Sequence, residues 1–287
     1  AQAFQFGENG KFARDSCFAL QFIFGLLAGV YGACTTLTNE IRNGTAHVVL
    51  SKPVGRELFF SAKFAGLAIF VALFSACAIP ACLLSEKASP ELLVTDRAAL
   101  ALLLGVVPAA LAAAALVNYL SGRSFAGTAF WLLLSALWIA IPLTSALHDN
   151  VSWDKCGHAA GAHAACVIHW RLVPAGLLVA MAVVVLSGAA LALATRLATV
   201  PVLALCTAIL FGGLLSDYLF TGPDAGPFSA ICRAIVPDWQ HFWMTDALTH
   251  DGTIPWRYVA IAGTYAVCYL LAALAGGLLL FRRREMR

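Results

Sequence analysis

The sequence predicts an all-α, polytopic membrane protein, and two observations lead to this fold class. Of the 287 residues, 61% are hydrophobic and 11% are charged, whereas a soluble domain has roughly 45–50% apolar and about 25% charged residues. All Asp, Glu, Lys and Arg residues also lie outside seven windows of 20 to 25 residues. Each window is apolar on every face and reaches the roughly 20 residues that a helix needs to cross a hydrocarbon core of about 30 Å.

The seven windows predict seven transmembrane helices, and we expect one more span before Ala1, because the chain begins without Met and shows no signal peptide. Single basic residues, Arg123 and Arg196, separate two pairs of windows, which predicts tight helical hairpins. Gly25 and Gly29 have the spacing of a close helix contact. In chain order the windows are Cys17–Thr38, Phe64–Ser85, Ala98–Gly122, Ser124–Leu147, Leu172–Thr195, Leu197–Ser216 and Tyr258–Phe281.

The distribution of basic residues predicts the orientation of the chain. One set of alternate loops has 10 Lys and Arg in 33 residues and comprises 39–63, 123, 196 and 282–287. The other set has 8 in 93 and comprises 1–16, 86–97, 148–171 and 217–257. Short loops rich in Lys and Arg stay in the cytoplasm. We therefore expect a cytoplasmic 39–63 segment and C-terminus, external loops at 148–171 and 217–257, and a multi-pass protein of the inner membrane. The whole chain, 1–287, is predicted to be one transmembrane permease domain.

The 39–63 segment contains a motif between the first two windows. Gly44 interrupts the first helix, Thr45 can cap a short new one, and Pro53 ends it. The short helix has an apolar stretch, Val48-Val49-Leu50, without a core of its own to enter. Such a helix lies on the headgroups or docks into a groove on a partner protein.

This segment resembles the cytoplasmic coupling segment of ABC-2 type transporter permeases, whose pattern is E-x-x-x-G-T, an apolar run, L-S-x-P-V-x-R and a following Lys. The branch of multicopper-enzyme maturation permeases is the most similar. Family members typically have six spans, so the eight expected here depart from the pattern. The positions that match are Glu40, Gly44, Thr45, Leu50, Ser51, Pro53, Val54, Arg56 and Lys63.

The resemblance implies a permease subunit of an exporter, in which the segment including Val48 and Val49 docks on a separate ABC ATPase subunit. It also implies a homodimer, or a heterodimer with a second permease, surrounded by membrane lipid. The family's re-entrant segment before the last span would correspond to 217–257. A secondary transporter and a non-transporting membrane scaffold or assembly factor are the alternatives.

Several absences agree with a partner ATPase. The sequence has no GxxxxGK[ST] phosphate-binding motif, so we expect no ATP hydrolysis by this chain, no enzymatic activity and no cofactor. An ion-coupled pump normally requires an ionisable residue within its spans. No His, carboxylate or amine lies within any of the seven windows. Asp217, at the end of a window, is the near-membrane carboxylate that could serve such a role, but we interpret it as an interfacial residue whose side chain extends to the headgroups. The basic cluster at Arg282–Arg287 is predicted to be a membrane anchor, with no nucleic-acid binding.

The 148–171 loop contains four His and two Cys, and its chemistry stays open between three interpretations. Cys156 and Cys166 could form a disulfide in an oxidising compartment. His163, Cys166 and His169 would share a helix face and could bind a soft metal, although their spacing matches no strong zinc motif. The third interpretation is that neither forms. The cysteines inside windows, including Cys17 and Cys82, are interpreted as packing residues.

Overall fold

The computed structural model describes residues 9–42, 55–88, 97–149, 169–216, 218 and 237–282, and the regular structure among them is entirely helical. Each of the seven windows forms a helix, as predicted. The helices are α1 Asn9–Arg42, α2 Arg56–Ala88, α3 Arg97–Ser121, α4 Phe125–Asp149, α5 Leu172–Ala194, α6 Thr199–Leu214 and α7 Trp256–Arg282. Two 3-10 segments, Trp239–His241 and Asp246–Asp251, precede α7.

Six of the described helices are long and apolar enough to cross a membrane: α1 to α5 and α7. The sixth window, Leu197–Ser216, forms only α6, of 16 residues, which spans about 24 Å at 1.5 Å per residue. That is shorter than a hydrocarbon core. Seven complete spans are therefore not confirmed, and an eighth before Ala1 stays a prediction.

The chain divides into two compact units. Unit 1 comprises Ala1–Leu20, Ser75–Gly176 and Leu248–Asp251. Unit 2 comprises Gln21–Phe74, Leu177–Ala247 and Gly252–Arg287. Helices α1, α2 and α5 contribute residues to both units.

Unit 1 contains the hairpin of α3 and α4, which pack along each other as predicted. The turn between them depends on Gly122, which has a φ of +63°, a conformation that glycine adopts without steric cost. The Asn118 side chain donates a hydrogen bond to the Arg123 carbonyl and closes the turn. In α4, the Trp138 indole donates to the Ala76 carbonyl of α2 at 3.0 Å.

Unit 2 is organised around α5, which is the most buried of the candidate spans. Gly25 and Gly29 of α1 face Val183 and Ser187 of α5, and a Cβ on Gly25 would lie 3.0 Å from the Val183 methyls. A Cβ on Gly29 would overlap the Ser187 hydroxyl. The close contact predicted from the glycine spacing is therefore confirmed, and its partner is α5.

The same helix packs against α7 through a second glycine. Gly277 of α7 lies against Ala192 of α5, where an added Cβ would come within 2.9 Å of the Ala192 Cα. Helix α5 then ends in a short joint, in which the amide of Arg196 donates to the Leu193 carbonyl at 3.0 Å. As predicted, only a few residues separate α5 from α6.

Candidate functional sites at the helix ends

The predicted coupling segment lies partly within the described residues. Glu40 lies in the last turn of α1, Arg56 is the first residue of α2, and Lys63 lies further along α2. Its central residues, Gly44, Thr45, Val48, Val49, Leu50, Ser51, Pro53 and Val54, lie outside the described residues. The flanks of the motif thus mark the end of one candidate span and the start of the next.

A groove of about 890 Å³ adjoins the start of α2. One wall comes from the first residues of α2, and the other comes from the C-terminal half of α7. Most of its lining is apolar, with Glu57 and Ser61 as the polar exceptions. The lining residues are Gly55, Glu57, Leu58, Phe60, Ser61, Leu271, Leu274, Ala275 and Leu278.

Three aromatic rings attach the start of α2 to the end of α7. The Phe281 ring, which is fully buried, stacks on Phe59 at 6.0 Å and on Phe60 at 6.1 Å between centroids. The Lys63 ammonium lies 5.5 Å from the centroid of the Phe59 ring, within the range of a cation–π contact. Aromatic pairs contribute about 0.5–1.5 kcal/mol beyond their buried area. The start of α2 is therefore held firmly to α7.

The joint between α5 and α6 contacts the same end of α7. The Arg196 guanidinium donates to the Leu280 carbonyl at 2.9 Å, which satisfies a carbonyl in the last turn of the helix. Three segments predicted to be cytoplasmic are therefore neighbours within unit 2: the end of the 39–63 segment, the Arg196 joint and the C-terminal end of α7. Their grouping agrees with the predicted loop sets, although it does not assign either set to a side.

A buried charge cluster, the Arg14 cluster, lies in unit 1 and consists of Arg14, Glu86, His169 and the Leu248 carbonyl. Arg14 is 4% exposed and Glu86 7% exposed. The Arg14 Nη1 atom lies 3.8 Å from a Glu86 oxygen and donates to the Leu248 carbonyl at 3.3 Å. The other Glu86 oxygen lies 3.3 Å from Nδ1 of His169. The Glu86 carboxylate therefore lies between the Arg14 guanidinium and the His169 imidazole.

The next residue of α2 is also buried and polar. The Lys87 ammonium donates to the Thr144 hydroxyl of α4 at 3.0 Å, and that hydroxyl donates in turn to the Ile141 carbonyl at 2.7 Å. A buried charge is tolerated only with such partners. The end of α2 is thus fixed by polar contacts on two sides within unit 1.

The Arg14 cluster brings together four segments that the sequence assigns to the external set: 1–16, 86–97, 148–171 and 217–257. This cluster was not predicted from the sequence, because the windows end at charged residues and Arg14 and Glu86 therefore lie outside them. Helices α1 and α2 continue past those charges. One signal in the sequence could have indicated it. No Pro occurs between Ser85 and Pro90, so the second helix could be expected to continue past the charged residues Glu86 and Lys87.

The segment before α7 forms an aromatic cluster in unit 2. Trp239 and Phe242 are each 2% exposed. The Trp239 indole donates to the Ile209 carbonyl of α6 at 3.1 Å and packs on Gly213, where a Cβ would overlap the ring. The absence of a side chain at Gly213 therefore lets this segment lie directly on α6.

A polar network continues from this aromatic cluster to α7. Nδ1 of His241 lies 3.0 Å from the Asp238 carboxylate, and the Tyr258 hydroxyl donates to the His241 carbonyl at 2.9 Å. The backbone amide of Asp238 donates to the Tyr265 hydroxyl at 2.9 Å. These contacts position the chain ahead of α7. A re-entrant path for the whole 217–257 loop is not tested by its described part.

The remaining predicted site residues are outside the described part of the chain. These are Cys156, Cys166, His163 and Asp217, so the disulfide and metal interpretations of the external loop stay open. Among the described residues, no three His, Cys, Asp or Glu side chains converge in a way that could hold a metal ion.

Comparison of the chain with protein-family models, curated proteins and solved structures finds no match.

Proposed function

We propose that this chain is the membrane-spanning permease subunit of an ABC-2 type transporter, an exporter driven by a separate ATPase subunit. The observation that carries the proposal is the sequence motif, whose nine matching positions run in order from Glu40 to Lys63. The motif connects two helices that are long enough to cross a membrane. A motif at this position can respond to a cytoplasmic partner and move two spans at once. The chain itself is not an enzyme under this proposal.

The contacts at the start of α2 support a route for such movement. Because Phe59 and Phe60 stack on Phe281, a displacement of the first turns of α2 would also displace the end of α7. Because Gly277 lies directly on Ala192, α7 would in turn press on α5. An ATPase that moves the 43–54 segment could therefore shift three helices of unit 2.

The proposed topology places this end of unit 2 in the cytoplasm of a cell with an inner membrane and places the Arg14 cluster outside. The chain must then cross the membrane between Arg196 and Trp256, so we assign α6 to that crossing despite its length. As in other permeases of this type, two copies, or this chain and a second permease, would form the translocation path. The mostly apolar spans suit a lipidic or hydrophobic substrate.

Co-purification of an ATPase tests the proposal. Leu50→Asp would bury an unpaired charge in the partner's cleft, and since such burial costs several kcal/mol, affinity falls by orders of magnitude. Leu120→Asp is the matched control: Leu120 is 71% exposed and lies beside the other predicted cytoplasmic joint, at Arg123. Affinity-purified wild type and Leu120→Asp should retain ATP hydrolysis, and Leu50→Asp should lose it. Equal ATPase recovery by all three, or none by any, would refute the proposal.

The Arg14 cluster favours a second candidate, an ion-coupled secondary transporter. Such proteins carry ionisable residues buried within the protein, and Glu86 is a buried carboxylate beside Arg14 and His169. If no ATPase accompanies the wild type, this candidate becomes the preferred one. Reconstituted wild type should then acidify or alkalinise vesicles in response to a candidate substrate, and Glu86→Gln should abolish that proton movement.

A further inference from the structure

Two cysteines from neighbouring helices lie side by side in unit 1. The thiol of Cys17 on α1 is hydrogen-bonded to the thiol of Cys82 on α2. The Ser85 hydroxyl also hydrogen-bonds to Cys17. Both cysteines are reduced.

The register of the two helices explains this contact. Arg14 of α1 pairs with Glu86 of α2, and Cys17 comes one turn later on α1 while Cys82 comes one turn earlier on α2. Residues three or four apart lie on the same helix face. An antiparallel pair of helices that brings Arg14 to Glu86 therefore also brings Cys17 to Cys82, so the contact follows from backbone packing.

The two thiols differ in access. Cys17 is half-buried, whereas Cys82 is 4% exposed. An accessible thiol beside a buried one is the usual arrangement of an attacking and a resolving cysteine, because the first meets the oxidant and the second completes the bond.

We propose that Cys17 and Cys82 are a redox-active pair that forms a reversible disulfide between α1 and α2 by exchange with an external disulfide. The Cys17 thiolate attacks one sulfur of that disulfide, whose S–S bond breaks and releases one thiol. The Cys82 thiolate then attacks the Cys17 sulfur and displaces the second thiol. Two cysteine thiols are oxidised to one cystine, the external disulfide is reduced to two thiols, and the cysteine protons pass to the leaving groups.

The bond would join α1 to α2 one turn from the Arg14 cluster. A covalent link there restricts relative movement of the two helices, which makes the pair a modification site that responds to the thiol–disulfide balance. The inference does not depend on the proposed transport function.

A second pair of cysteines provides an internal control. Cys34 of α1 and Cys206 of α6 lie close enough to interact electrostatically, but both are fully buried. Neither can serve as the attacking thiol. Cys268 of α7, by contrast, is exposed on a candidate span, where it faces lipid or detergent, and so reports whether an apolar oxidant reaches the spans.

The test uses the purified full chain in detergent, reduced, freed of reductant and treated with 2,2′-dipyridyl disulfide. Mass spectrometry of proteolytic peptides should recover Cys17 and Cys82 as one bridged peptide, Cys34 and Cys206 as free thiols, and Cys268 as a pyridyl mixed disulfide. Cys82→Ser should instead hold the pyridyl group on Cys17. Cys17→Ser should slow reaction at Cys82 by about tenfold or more, because the more accessible of the two thiols is gone.

Recovery of Cys17 and Cys82 as separate mixed disulfides, or as free thiols while Cys268 has reacted, would overturn the proposal. The wild-type peptide map decides the matter even where a serine variant fails to fold. A bridge between Cys34 and Cys206 formed at the same rate would also contradict it, since access would then not be the selecting factor.

Discussion

Gly277 provides a direct test of the packing between α5 and α7, because its neighbour Gly276 is a matched control. A Cβ at position 277 would lie 2.8 Å from the Ala192 Cβ and 2.9 Å from the Ala192 Cα. Carbon atoms pack best at about 3.5–4.0 Å, so the two helices would have to separate by about 0.6 Å or more. A Cβ at position 276 meets nothing within 4 Å.

The two substitutions should therefore differ in their effect on the free energy of unfolding, and only Gly277→Ala should lower it. Gly277→Ala should lower the free energy of unfolding by about 1–3 kcal/mol, the usual cost of overpacking a core. Gly276→Ala should leave it unchanged or raise it by up to about 1 kcal/mol, because alanine is the better helix former. Unfolding of both variants in detergent micelles, followed by tryptophan fluorescence, measures the difference. Equal destabilisation by both substitutions, or none by either, would show that α7 does not pack on α5 through this face.

Three further predictions follow from the other sites. Glu86→Gln should destabilise the protein by about 3 kcal/mol, the lower end of the usual cost of breaking a buried ion pair, because Arg14 would keep its charge beside only the Asp15 carboxylate among the described residues, 3.7 Å away. An unchanged midpoint of thermal unfolding would contradict the buried ion pair. Trp239→Ala should lower the free energy of unfolding by about 3–5 kcal/mol. Trp256→Ala, at a residue that is 62% exposed, should change it by about 0.5 kcal/mol or less. Similar losses of stability in the two variants would refute the packing of Trp239 on α6. A membrane-impermeant thiol reagent should label Cys156 in intact cells after reduction but not a cysteine placed at position 51, and labelling at 51 would invert the proposed topology.

Much of the fold was predictable because the membrane requirement is simple. A segment that crosses a bilayer must satisfy its own backbone groups, as a helix does, and must be long and apolar. Seven uncharged windows of that length therefore predicted seven helices. The same physics predicted the hairpin at Arg123 and the Gly25–Gly29 contact. The length of α6 was not predictable from its window, since apolar composition does not show where a helix ends. Its end coincides with Gly213, on which Trp239 packs, a contact between residues distant in sequence.

The charged parts of the protein were harder to predict. The predicted spans end at charged residues, yet Arg14 and Glu86 are buried within α1 and α2. Each of these two side chains can be buried because the other is its ion-pair partner. Pairing of this kind depends on which helices are neighbours, and spacing along one helix does not contain that information. The contact of Cys17 with Cys82 was missed for the same reason. The coupling motif stays a prediction from sequence, because its central residues, 43–54, lie outside the described part of the chain.

Cross-linking from position 50 tests the central claim most directly. With a photoreactive amino acid in place of Leu50, irradiation of membranes from the native host should attach this chain to a second protein whose peptides include the GxxxxGK[ST] motif of an ATPase. The same group at position 120 should give no such adduct. Adducts to lipid alone, or to that ATPase from both positions equally, would contradict a specific coupling segment in this chain.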